Sequence, residues 1–594
     1  MKENTMNKRT MLYGASAIFL VAFGVFANTL PNGFVYDDAK QILSNIWITD
    51  LRYLPDIFTH DVWGFWPEHG ASGYYRPMMH ILNLALNQTF GLLPWAYHFM
   101  NVLFHSVNSV LVFLLTFDLF RKEGKTSAFS LALISGLLFA SHPIHCEAVA
   151  WAGGIPDLSY TFFLLLSFYL YQRSTEKGSS SPLLLSVSLL SFVLALLSKE
   201  PALILPFILI LYESSERKDH HLKLQRYIPY IVIAVAYLAV RFAIIGGIKT
   251  SGEDSSVVSW LPDVFVLFAT YLGKLLLPIN LNVYYSYSSA GSFLAPSVLL
   301  GIVVTCIFIT ALIISFRKSR LVFTGLLFIA APLLPALYIP AIGGTPFAER
   351  YLYLPSFGYV LLLSLVIYSI TEQLRHHGFL LFVTAGIAIA LFYSFGAIAR
   401  NQVWENDFSL WYDTVQKSPA SFIARNNLGR AYFTMRDVDS AIEQYQVALS
   451  LEPNHAEAHN NLGAAYATKN MTGEAEQHFL LALKLKPGYS DAHNNIGIFY
   501  GSQGQNDRAI YHFKSALKSR PDFGDAHHNL AVTYLAVGAL DLAIKHFNSA
   551  LEFEPDNVNT HLNLARAYEQ KGLLIEARRH RLRAEVLKGG QAGQ

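Results

Sequence analysis

Apolar residues dominate the first two thirds of the chain, in runs that short polar segments separate. A membrane-spanning helix needs about 20 mostly apolar residues. The runs that approach this requirement are residues 11–30, 95–120, 127–145, 157–173, 182–197, 201–213, 227–246, 294–316, 321–339, 352–371 and 379–399. This pattern predicts an all-α membrane domain over residues 1–399, with about eleven transmembrane helices.

Lysine and arginine in the loops set the expected orientation, because basic loops remain on the cytoplasmic side. Eleven crossings place all the basic loops on that side, at residues 2–9, 121–125, 173–177, 217–226, 317–320 and Arg375. The N-terminus is then inside and the C-terminus outside. Apolar runs 76–91 and 260–278 would break this pattern as crossings, so we expect interfacial or re-entrant helices there. The long first run favours an uncleaved anchor over a signal peptide.

The last third of the chain repeats every 34 residues. Prolines recur at 419, 453, 487, 521 and 555, tyrosines at 432, 466, 500, 534 and 568, and alanines at 441, 475, 509, 543 and 577. This period, with small residues in the second helix and a closing proline, is typical of tetratricopeptide repeats (TPRs). We expect a solenoid of five repeats over residues 419–588 and a tail at 589–594. Residues 400–418 are predicted to form an adapter helix or helix pair.

An asparagine occupies the same position in the first helix of every predicted repeat: Asn427, Asn461, Asn495, Asn529 and Asn563. First helices line the concave groove of such solenoids, so these amides could bind the backbone of an extended peptide. The alternative is that they bond to neighbouring repeats and bind nothing. A histidine column lies two residues earlier, at His459, His493, His527 and His561. Packed helices are about 8–10 Å apart, too far for a shared metal, so packing or groove lining is favoured.

Composition limits the possible function classes. With 53% hydrophobic and 14% charged residues, the chain is too apolar for a soluble protein of 594 residues. A net charge of +2 without a basic stripe argues against nucleic acid as a partner. The two cysteines, Cys146 and Cys306, lie in or near apolar segments and support neither a disulfide framework nor a thiolate metal site.

The predicted topology collects unusual polar residues on the outer side of the membrane. Ionisable groups at membrane depth cost several kcal/mol unless they serve a cavity or a partner. These residues are Asp37, Asp38, Arg76, His142, His145, Glu147, Asp157, Lys199, Glu200, Arg241, Glu349 and Arg350. Their gathering favours one active-site cavity over separate structural ion pairs. The acidic pair in the first outer loop, residues 31–94, is then a candidate general base rather than a turn cap.

Several segments together resemble a known family. They are residues 34–38 (Phe-Val-Tyr-Asp-Asp), 75–77 (Tyr-Arg-Pro), 142–149 (His-Pro-Ile-His-Cys-Glu-Ala-Val), 198–200 (Ser-Lys-Glu) and 348–356 (Ala-Glu-Arg-Tyr-Leu-Tyr-Leu-Pro-Ser). With the trailing repeats, they resemble the transmembrane-and-TPR-containing protein O-mannosyltransferases of animals, which are membrane GT-C glycosyltransferases.

Two segments depart from the family pattern. Residues 154–157 read Gly-Ile-Pro-Asp where the family usually has Gly-Arg-Ala-Asp, and residues 277–286 lack the usual Asp-Tyr-Ser. These departures put details of donor or acceptor binding in doubt. Few cysteines and compact inner loops favour a bacterial relative, located in the inner membrane with its TPR domain in the periplasm.

The resemblance implies transfer of a sugar, mannose in the family, from a polyprenyl-phosphate carrier to Ser/Thr hydroxyls of extracytoplasmic protein, with inversion. It makes Asp37 or Asp38 the base, with a slight preference for Asp38. The asparagine column favours the TPR groove as the holder of the acceptor polypeptide. Membrane lipids are further partners. The candidate ligands of the donor phosphate are Arg76, Lys199, Arg241 and Arg350. The residues assigned to shaping the site are His142, His145, Glu147, Asp157, Glu200 and Glu349, the last by pairing with Arg350 or another cation.

Other interpretations remain open. His142, His145 and Glu147 are residue types that bind divalent metals, but a hydrogen-bonded loop is favoured and no metal is predicted. A membrane-anchored TPR scaffold without catalysis is the main alternative function, and the acidic pair with its nearby cations argues against it. A GT-C enzyme acting on a glycan or lipid is another, and the asparagine column argues against that.

Overall fold

The computed structural model describes residues 8–66, 72–175, 181–216, 224–246, 257–285, 289, 291–337, 347–374 and 377–591. All regular secondary structure in these ranges is helical, which confirms the predicted all-α class. The chain forms two compact units. The first comprises Met1–Val62 and Ala71–Ser418, and the second comprises Trp63–Gly70 and Pro419–Gln594.

The α-helices of the first unit are numbered α1 to α16 in chain order. They are Lys8–Phe26, Leu54–Thr59, Pro77–Phe90, Pro94–Lys122, Ala128–Ser141, Cys146–Ala150, Ile155–Ser174, Pro182–Ser198, Leu205–Glu216, Ile228–Ile245, Val257–Leu276, Pro296–Lys318, Arg320–Leu333, Pro355–Glu372, Gly378–Asn401 and Asp407–Lys417. Several begin with proline at their first position, where its missing N–H and fixed φ cost nothing.

Many of these helices are suited to a bilayer. Among the described residues, seven helical segments are long and apolar enough to cross one, namely α1, α4, α10, α12, α13, α14 and α15 with their short extensions. Helix α5 and the bent segment 143–150 would together make an eighth. The protein is therefore an integral membrane protein. The remaining predicted spans are also helical, as α7, α8 and α9, and the total of eleven crossings stays a prediction.

Helix α4 lies at the centre of the first unit and packs against α1, α5 and α7. Its hydroxyl side chains are buried, and Ser106, Ser109 and Thr116 each donate to the carbonyl four residues earlier. These bonds satisfy polar atoms that would otherwise be costly in an apolar interior. Helices α13 and α14 approach closely, because a Cβ atom built on Gly358 would lie 2.2 Å from the carbonyl oxygen of Gly325.

The second unit stacks helix pairs numbered α17 to α26. They are Phe422–Thr434, Val438–Leu451, Ala456–Thr468, Thr472–Leu485, Ser490–Ser502, Asn506–Ser519, Gly524–Ala536, Leu540–Phe553, Val558–Gln570 and Leu574–Gln591. Small residues let the helices of a pair approach. A Cβ atom on Gly463, for example, would lie 2.9 Å from the ring of Phe479 on the second helix.

Candidate active site

The two aspartates of the acidic loop have different surroundings. Asp38 is fully buried, and its Oδ2 accepts the N–H of Val35 (3.0 Å) while its Oδ1 accepts the N–H of Gly153 (2.8 Å). Burial raises the pKa of Asp38 well above its usual range, although the two N–H donors oppose this shift. Asp37 is only partly buried. Asp38 therefore ties the loop to the segment between α6 and α7.

Tyr36, just before the two aspartates, has an unusual backbone conformation. Its φ of 60° is a left-handed conformation, uncommon for residues other than glycine. Its ring packs against Trp151 and Trp411, with centroids 5.5 Å away in both cases. The charge of Asp37, followed by burial, raises the pKa of Tyr36. The Tyr36 ring therefore joins the acidic loop to Trp151 and to Trp411 of α16.

The adapter segment holds the acidic loop in place. The N–H of Gly33 donates to the carbonyl of Glu405 (3.0 Å), and the N–H of Tyr36 donates to Oδ1 of Asp407 (2.9 Å). The side chain of Asn32 donates to the carbonyl of Trp404 (3.1 Å). Residues 402–417 consequently belong to the framework of the candidate site. Sequence reasoning had assigned them only a connecting role.

Arg350 forms an ion pair with Glu147, 203 residues earlier in the chain. The guanidinium and the backbone N–H of Arg350 both donate to this carboxylate, the latter at 2.9 Å. The guanidinium carbon also lies 5.6 Å from the ring centroid of Trp151 and 5.2 Å from that of Tyr351. Glu147 is buried, so this pair fixes the position of Arg350.

Lys199 follows the last residue of α8 and pairs with Asp157 at 2.5 Å. Both side chains are buried. Burial lowers the pKa of Lys199 to about 8; Asp157 opposes this shift, and the charges of Arg76 and Arg350 add to it. Three of the predicted cations therefore lie close enough to influence one another.

Arg76 pairs with Glu200 in the same region. Its Nη2 lies 3.0 Å from Oε2 of Glu200, and the N–H of Tyr75 donates to Oε1 at 3.0 Å. Arg241 donates from Nη2 to the carbonyl of Gly73 (2.7 Å), three residues before Arg76. The structure thus brings together Arg76, Lys199, Arg241 and Arg350 with the carboxylates of Glu147, Asp157 and Glu200. We call the three pairs within this group the ion-pair cluster: Arg350–Glu147, Lys199–Asp157 and Arg76–Glu200.

The two predicted site histidines lie outside this cluster. Nε2 of His142 contacts the carbonyl of Leu275 (3.2 Å), and Nδ1 accepts the N–H of Ile144 (3.1 Å). Nε2 of His145 contacts the hydroxyl of Ser356 (2.8 Å). Within the parts of the chain that the structure describes, no three His, Cys, Asp or Glu side chains are arranged to hold a metal ion. The two histidines instead shape the buried core beside the site.

Glu349 does not pair with its neighbour Arg350. Its Oε1 accepts the N–H of Asn282 and the hydroxyl of Tyr285, both at 2.5 Å. Burial raises the pKa of Glu349 to about 7, and the charge of Arg400 opposes that shift. Sequence reasoning did not assign Asn282, Tyr285 or Arg400 to the site. The departure of residues 277–286 from the family pattern was the available signal.

The asparagine column of the second unit bonds mainly within the solenoid. Nδ2 atoms of the column donate to the asparagine just before the column in the preceding repeat, at 3.0–3.1 Å. The pairs are Asn461–Asn426, Asn495–Asn460 and Asn529–Asn494. Asn427 donates to the carbonyl of Ile423 (3.0 Å), and Asn563 occupies the same face of α25. The sequence left open whether these asparagines bond to neighbouring repeats, and three of them do.

Each histidine of the column pairs with a second histidine 19 residues later. The Nδ1 atoms are 2.9–3.0 Å apart in His459–His478, His493–His512, His527–His546 and His561–His580. The first histidine of each pair also contacts a proline carbonyl through Nε2, at 2.9–3.0 Å. The histidines of the column therefore have a packing role, which is one of the two roles that the sequence favoured. The second histidine column has the same 34-residue period and was missed.

Comparison with known proteins bears on both units. The TPR repeat family matches residues 429–470 and 533–572, and further tetratricopeptide repeat families match residues 456–489 and 502–552. These matches confirm the predicted repeats. Among solved structures, MamA is 24% identical over 28% of this chain and 98% of its own, with a TM-score of 0.26. The TPR protein YrrB is 20% identical over 30% of this chain and 92% of its own, with a TM-score of 0.25.

Several similar proteins are named protein O-mannosyl-transferases. TMTC1 of Mus musculus is 25% identical over 75% of this chain and 58% of its own length. TMTC3 of Homo sapiens is 27% identical over 73% of this chain and 51% of its own. Tmtc1 of Drosophila melanogaster is 36% identical over 32% of this chain and 22% of its own.

The chain is a relative of these O-mannosyl-transferases. The resemblance predicted from the sequence is confirmed. The chain spans about half the length of the curated relatives it matches, since the alignments cover 51% to 58% of the first four. The aligned share of this chain is about three quarters in each, so the similarity extends well beyond the repeats.

Proposed function

We propose that this protein is a membrane glycosyltransferase that moves a sugar from a polyprenyl-phosphate carrier to Ser/Thr hydroxyls of extracytoplasmic protein. Mannose is the proposed sugar, because the relatives are named O-mannosyl-transferases. One observation carries the proposal. The partly exposed Asp37 follows Tyr36, whose ring centroid lies 5.5 Å from that of Trp151. The guanidinium carbon of Arg350, in the ion-pair cluster, lies 5.6 Å from a ring of the same Trp151. A carboxylate and paired cations thus share one site.

Asp37 is the proposed general base. In this reaction the acceptor hydroxyl oxygen attacks the anomeric carbon, the bond to the phosphate oxygen breaks, and the hydroxyl proton moves to the carboxylate. A single displacement of this kind inverts the anomeric centre. A raised pKa would suit Asp38 to the same task, but its full burial and two backbone hydrogen bonds keep substrate away from it. We therefore assign Asp38 to positioning the loop, in contrast to the slight preference that the sequence suggested.

The ion-pair cluster is proposed to orient donor and acceptor around Asp37. Each cation already has a carboxylate partner, so the cluster offers both donors and acceptors to sugar hydroxyls at little net charge. Preorganised charges of this kind also stabilise charge that develops during transfer. Direct binding of the donor phosphate by Arg76, Lys199, Arg241 and Arg350 stays a prediction.

The repeats are proposed to hold the acceptor polypeptide. Three column asparagines use Nδ2 for inter-repeat bonds, so their Oδ1 atoms would be the groups that meet a peptide N–H. The proposed setting is a bacterial inner membrane, with the N-terminus in the cytoplasm and the repeats in the periplasm. The basic loops support that orientation.

Purified protein in detergent, supplied with polyprenyl-phosphate mannose and a pool of Ser/Thr-rich peptides, tests the proposal by mass spectrometry of hexose transfer. Asp37→Asn should lose activity by about 10²–10⁴-fold, the usual contribution of a general base, without loss of fold. Transfer of hexose by Asp37→Asn at the wild-type rate would remove Asp37 from this role. Absence of transfer to peptides, with transfer to a glycan or lipid, would favour the alternative acceptor class. Absence of transfer from every lipid-linked sugar would favour the scaffold interpretation.

A further inference from the structure

A second polar region of the first unit contains a cavity of about 400 Å³. It lies where the end of α11, the following segment and the end of α16 meet. Its lining residues are Lys274, Asn280, Asn282, Tyr285, Lys417 and Ser418. Two lysines, two asparagines, a tyrosine and a serine therefore line one space, and no Asp or Glu is among the described residues that line it.

Backbone carbonyls hold the two lysines in place. Nζ of Lys274 donates to the carbonyls of Ile279 (2.8 Å) and Asn280 (3.0 Å). Nζ of Lys417 donates to the carbonyl of Leu281 and to Asp413, both at 2.8 Å. An ammonium group has three N–H donors, so Lys274 keeps one for a ligand. Nζ of Lys417 lies 2.8 Å from both carboxylate oxygens of Asp413 and contributes its positive charge to the cavity. Within the described residues, Lys274 forms no ion pair with a carboxylate.

The charges around this cavity do not balance. Asp413 is shared between Lys417 and Arg400, whose Nη1 lies 2.5 Å from Oδ2. Arg400 is 7% exposed, and its Nε and Nη2 have no hydrogen-bond partner among the described residues. Burial, followed by the charge of Arg400, lowers the pKa of Lys417. Lys274, Lys417 and Arg400 thus exceed the negative charge of Asp413 and Glu349, even when Glu349 is ionised.

The ion-pair cluster differs in this respect. Its three cations each meet one carboxylate, so an incoming anion would have to compete with an existing partner. At the cavity, an anion would instead relieve repulsion between cations. Electrostatics therefore favour the cavity over the ion-pair cluster as the place for a phosphate.

An exposed apolar surface adjoins the cavity. Leu276, Leu277 and Ile279 are 66%, 57% and 50% exposed, and they lie in the sequence between Lys274 and Asn280, which line the polar space. A ligand with an anionic head and a hydrocarbon tail would satisfy both surfaces at once. Free phosphate would use only the polar one.

We propose that the cavity lined by Lys274 and Lys417 binds the phosphoryl group of a lipid phosphate, with the lipid chain against Leu276, Leu277 and Ile279. The proposal rests on the proposed function, in which a polyprenyl phosphate is the carrier. It assigns the phosphate to side chains that neither the sequence motifs nor the ion-pair cluster contain. Lys274 and Lys417 are binding residues in this proposal. Tyr285 has a positioning role, because its hydrogen bond to Glu349 fixes one side of the cavity.

Binding to the full chain in detergent tests the proposal without requiring transfer. The probes are undecaprenyl phosphate, undecaprenol and inorganic phosphate. Microscale thermophoresis measures the dissociation constant of each one. We expect undecaprenyl phosphate to bind at least about tenfold more tightly than either other probe, because one lacks the charge and the other the chain. Inorganic phosphate should displace it at high concentration.

Variants connect binding to the cavity. Lys274→Met and Lys417→Met should each weaken undecaprenyl phosphate binding about tenfold, the effect expected for one hydrogen bond to a charged group. Lys274→Arg should retain most of the affinity, because it keeps the positive charge. That result would show that binding requires the charge at this position. Lys318→Met removes an exposed charge at the end of α12 and should leave affinity unchanged.

The outcomes separate this proposal from the proposed function. Wild-type affinity in both Lys→Met variants, or weak binding of undecaprenyl phosphate to the wild type, would overturn the cavity assignment. Equal affinity for inorganic phosphate and the lipid would overturn the lipid part and identify a site for free phosphate. Lysine-dependent binding without sugar transfer would support the cavity and speak against the proposed function alone.

Discussion

Oδ1 of Asp38 accepts a hydrogen bond from the backbone N–H of Gly153, which lies 2.8 Å away and 115 residues later in the chain. A Cβ atom on Gly153 would lie 3.0 Å from this same oxygen and 2.5 Å from the ring of Trp151. The two residues fit each other because one lacks a side chain. This contact distinguishes Asp38 from Asp37, although the two are adjacent in sequence.

Replacing Asp38 should therefore destabilise the protein. Asp38→Ala leaves two buried N–H groups without an acceptor, at about 1–3 kcal/mol each, and should lower the thermal unfolding midpoint by several degrees. Asp37→Ala should change the midpoint less while abolishing transfer. A midpoint for Asp38→Ala equal to that of the wild type would show that the contact to Gly153 carries no stability.

The Arg350–Glu147 pair should be strongly coupled. Removing one member of a buried ion pair typically costs about 3–5 kcal/mol, because the other charge is left without its partner. Glu147→Gln should therefore be more destabilising than the double variant Glu147→Gln with Arg350→Gln. A double-mutant cycle on thermal unfolding measures this coupling. Additive effects of the two single changes would contradict it.

Arg350→Lys provides the matched test of geometry. It keeps the charge but loses the planar guanidinium that lies over Trp151 and Tyr351. We expect transfer activity to fall at least about tenfold while most of the stability remains. Wild-type activity in this variant would mean that only the charge of Arg350 matters.

The histidine pairs should make the repeats sensitive to acid. Burial, followed by the paired histidine, lowers the pKa of His512 and of His546 from 6.5 to about 4. The unfolded chain binds these protons at a higher pH than the folded chain does, so stability is complete above pH 6.5 and falls as the pH drops towards 4. Hydrogen–deuterium exchange of α22 and α24 in the full chain should accelerate over this range.

The control for this effect replaces both titrating rings. In the variant His512→Gln with His546→Gln, exchange in α22 and α24 should depend less on pH than in the wild type. His493 and His527 remain in that variant, and burial also lowers their pKa. An unchanged pH profile would exclude the two replaced histidines as the cause.

The close approach of α13 and α14 gives a prediction about packing. Gly358→Ala would bring a methyl group to 2.2 Å from the carbonyl of Gly325, so the helices must separate. Overpacking of this kind costs about 1–3 kcal/mol. Gly24→Ala in α1 meets nothing within 4 Å and is the matched control. Equal unfolding midpoints in the two variants would show that the α13–α14 contact is loose.

Local patterns in the sequence were sufficient for the helices. Apolar runs predicted the long helices of the first unit but not the short α2 and α6. The 34-residue period predicted the helix pairs of the second unit, because both patterns depend on residues close in sequence. The partners within the site depend on distant contacts. The pairing of Glu147 with Arg350 spans 203 residues, and no periodicity indicates it.

The difference between Asp37 and Asp38 was also beyond the sequence. Asp38 is held by the N–H of Gly153, which is 115 residues away in the chain. Other features were visible and overlooked. The partner asparagines at 426, 460 and 494 directly precede the column residues, and the second histidine column keeps the same period as the first. A search for every residue type at that period would have found both.

The hydrogen bonds from Asn32, Gly33 and Tyr36 to residues 404–407 bear on the modularity of this chain. A protein cut after the last apolar helix would retain the acidic loop and lose the segment that holds it. The boundary at which the two units can be separated therefore lies beyond Ser418. Chimeras that exchange the repeat array should carry residues 402–417 with the membrane half, and so should any natural recombination that gave this half a different repeat array.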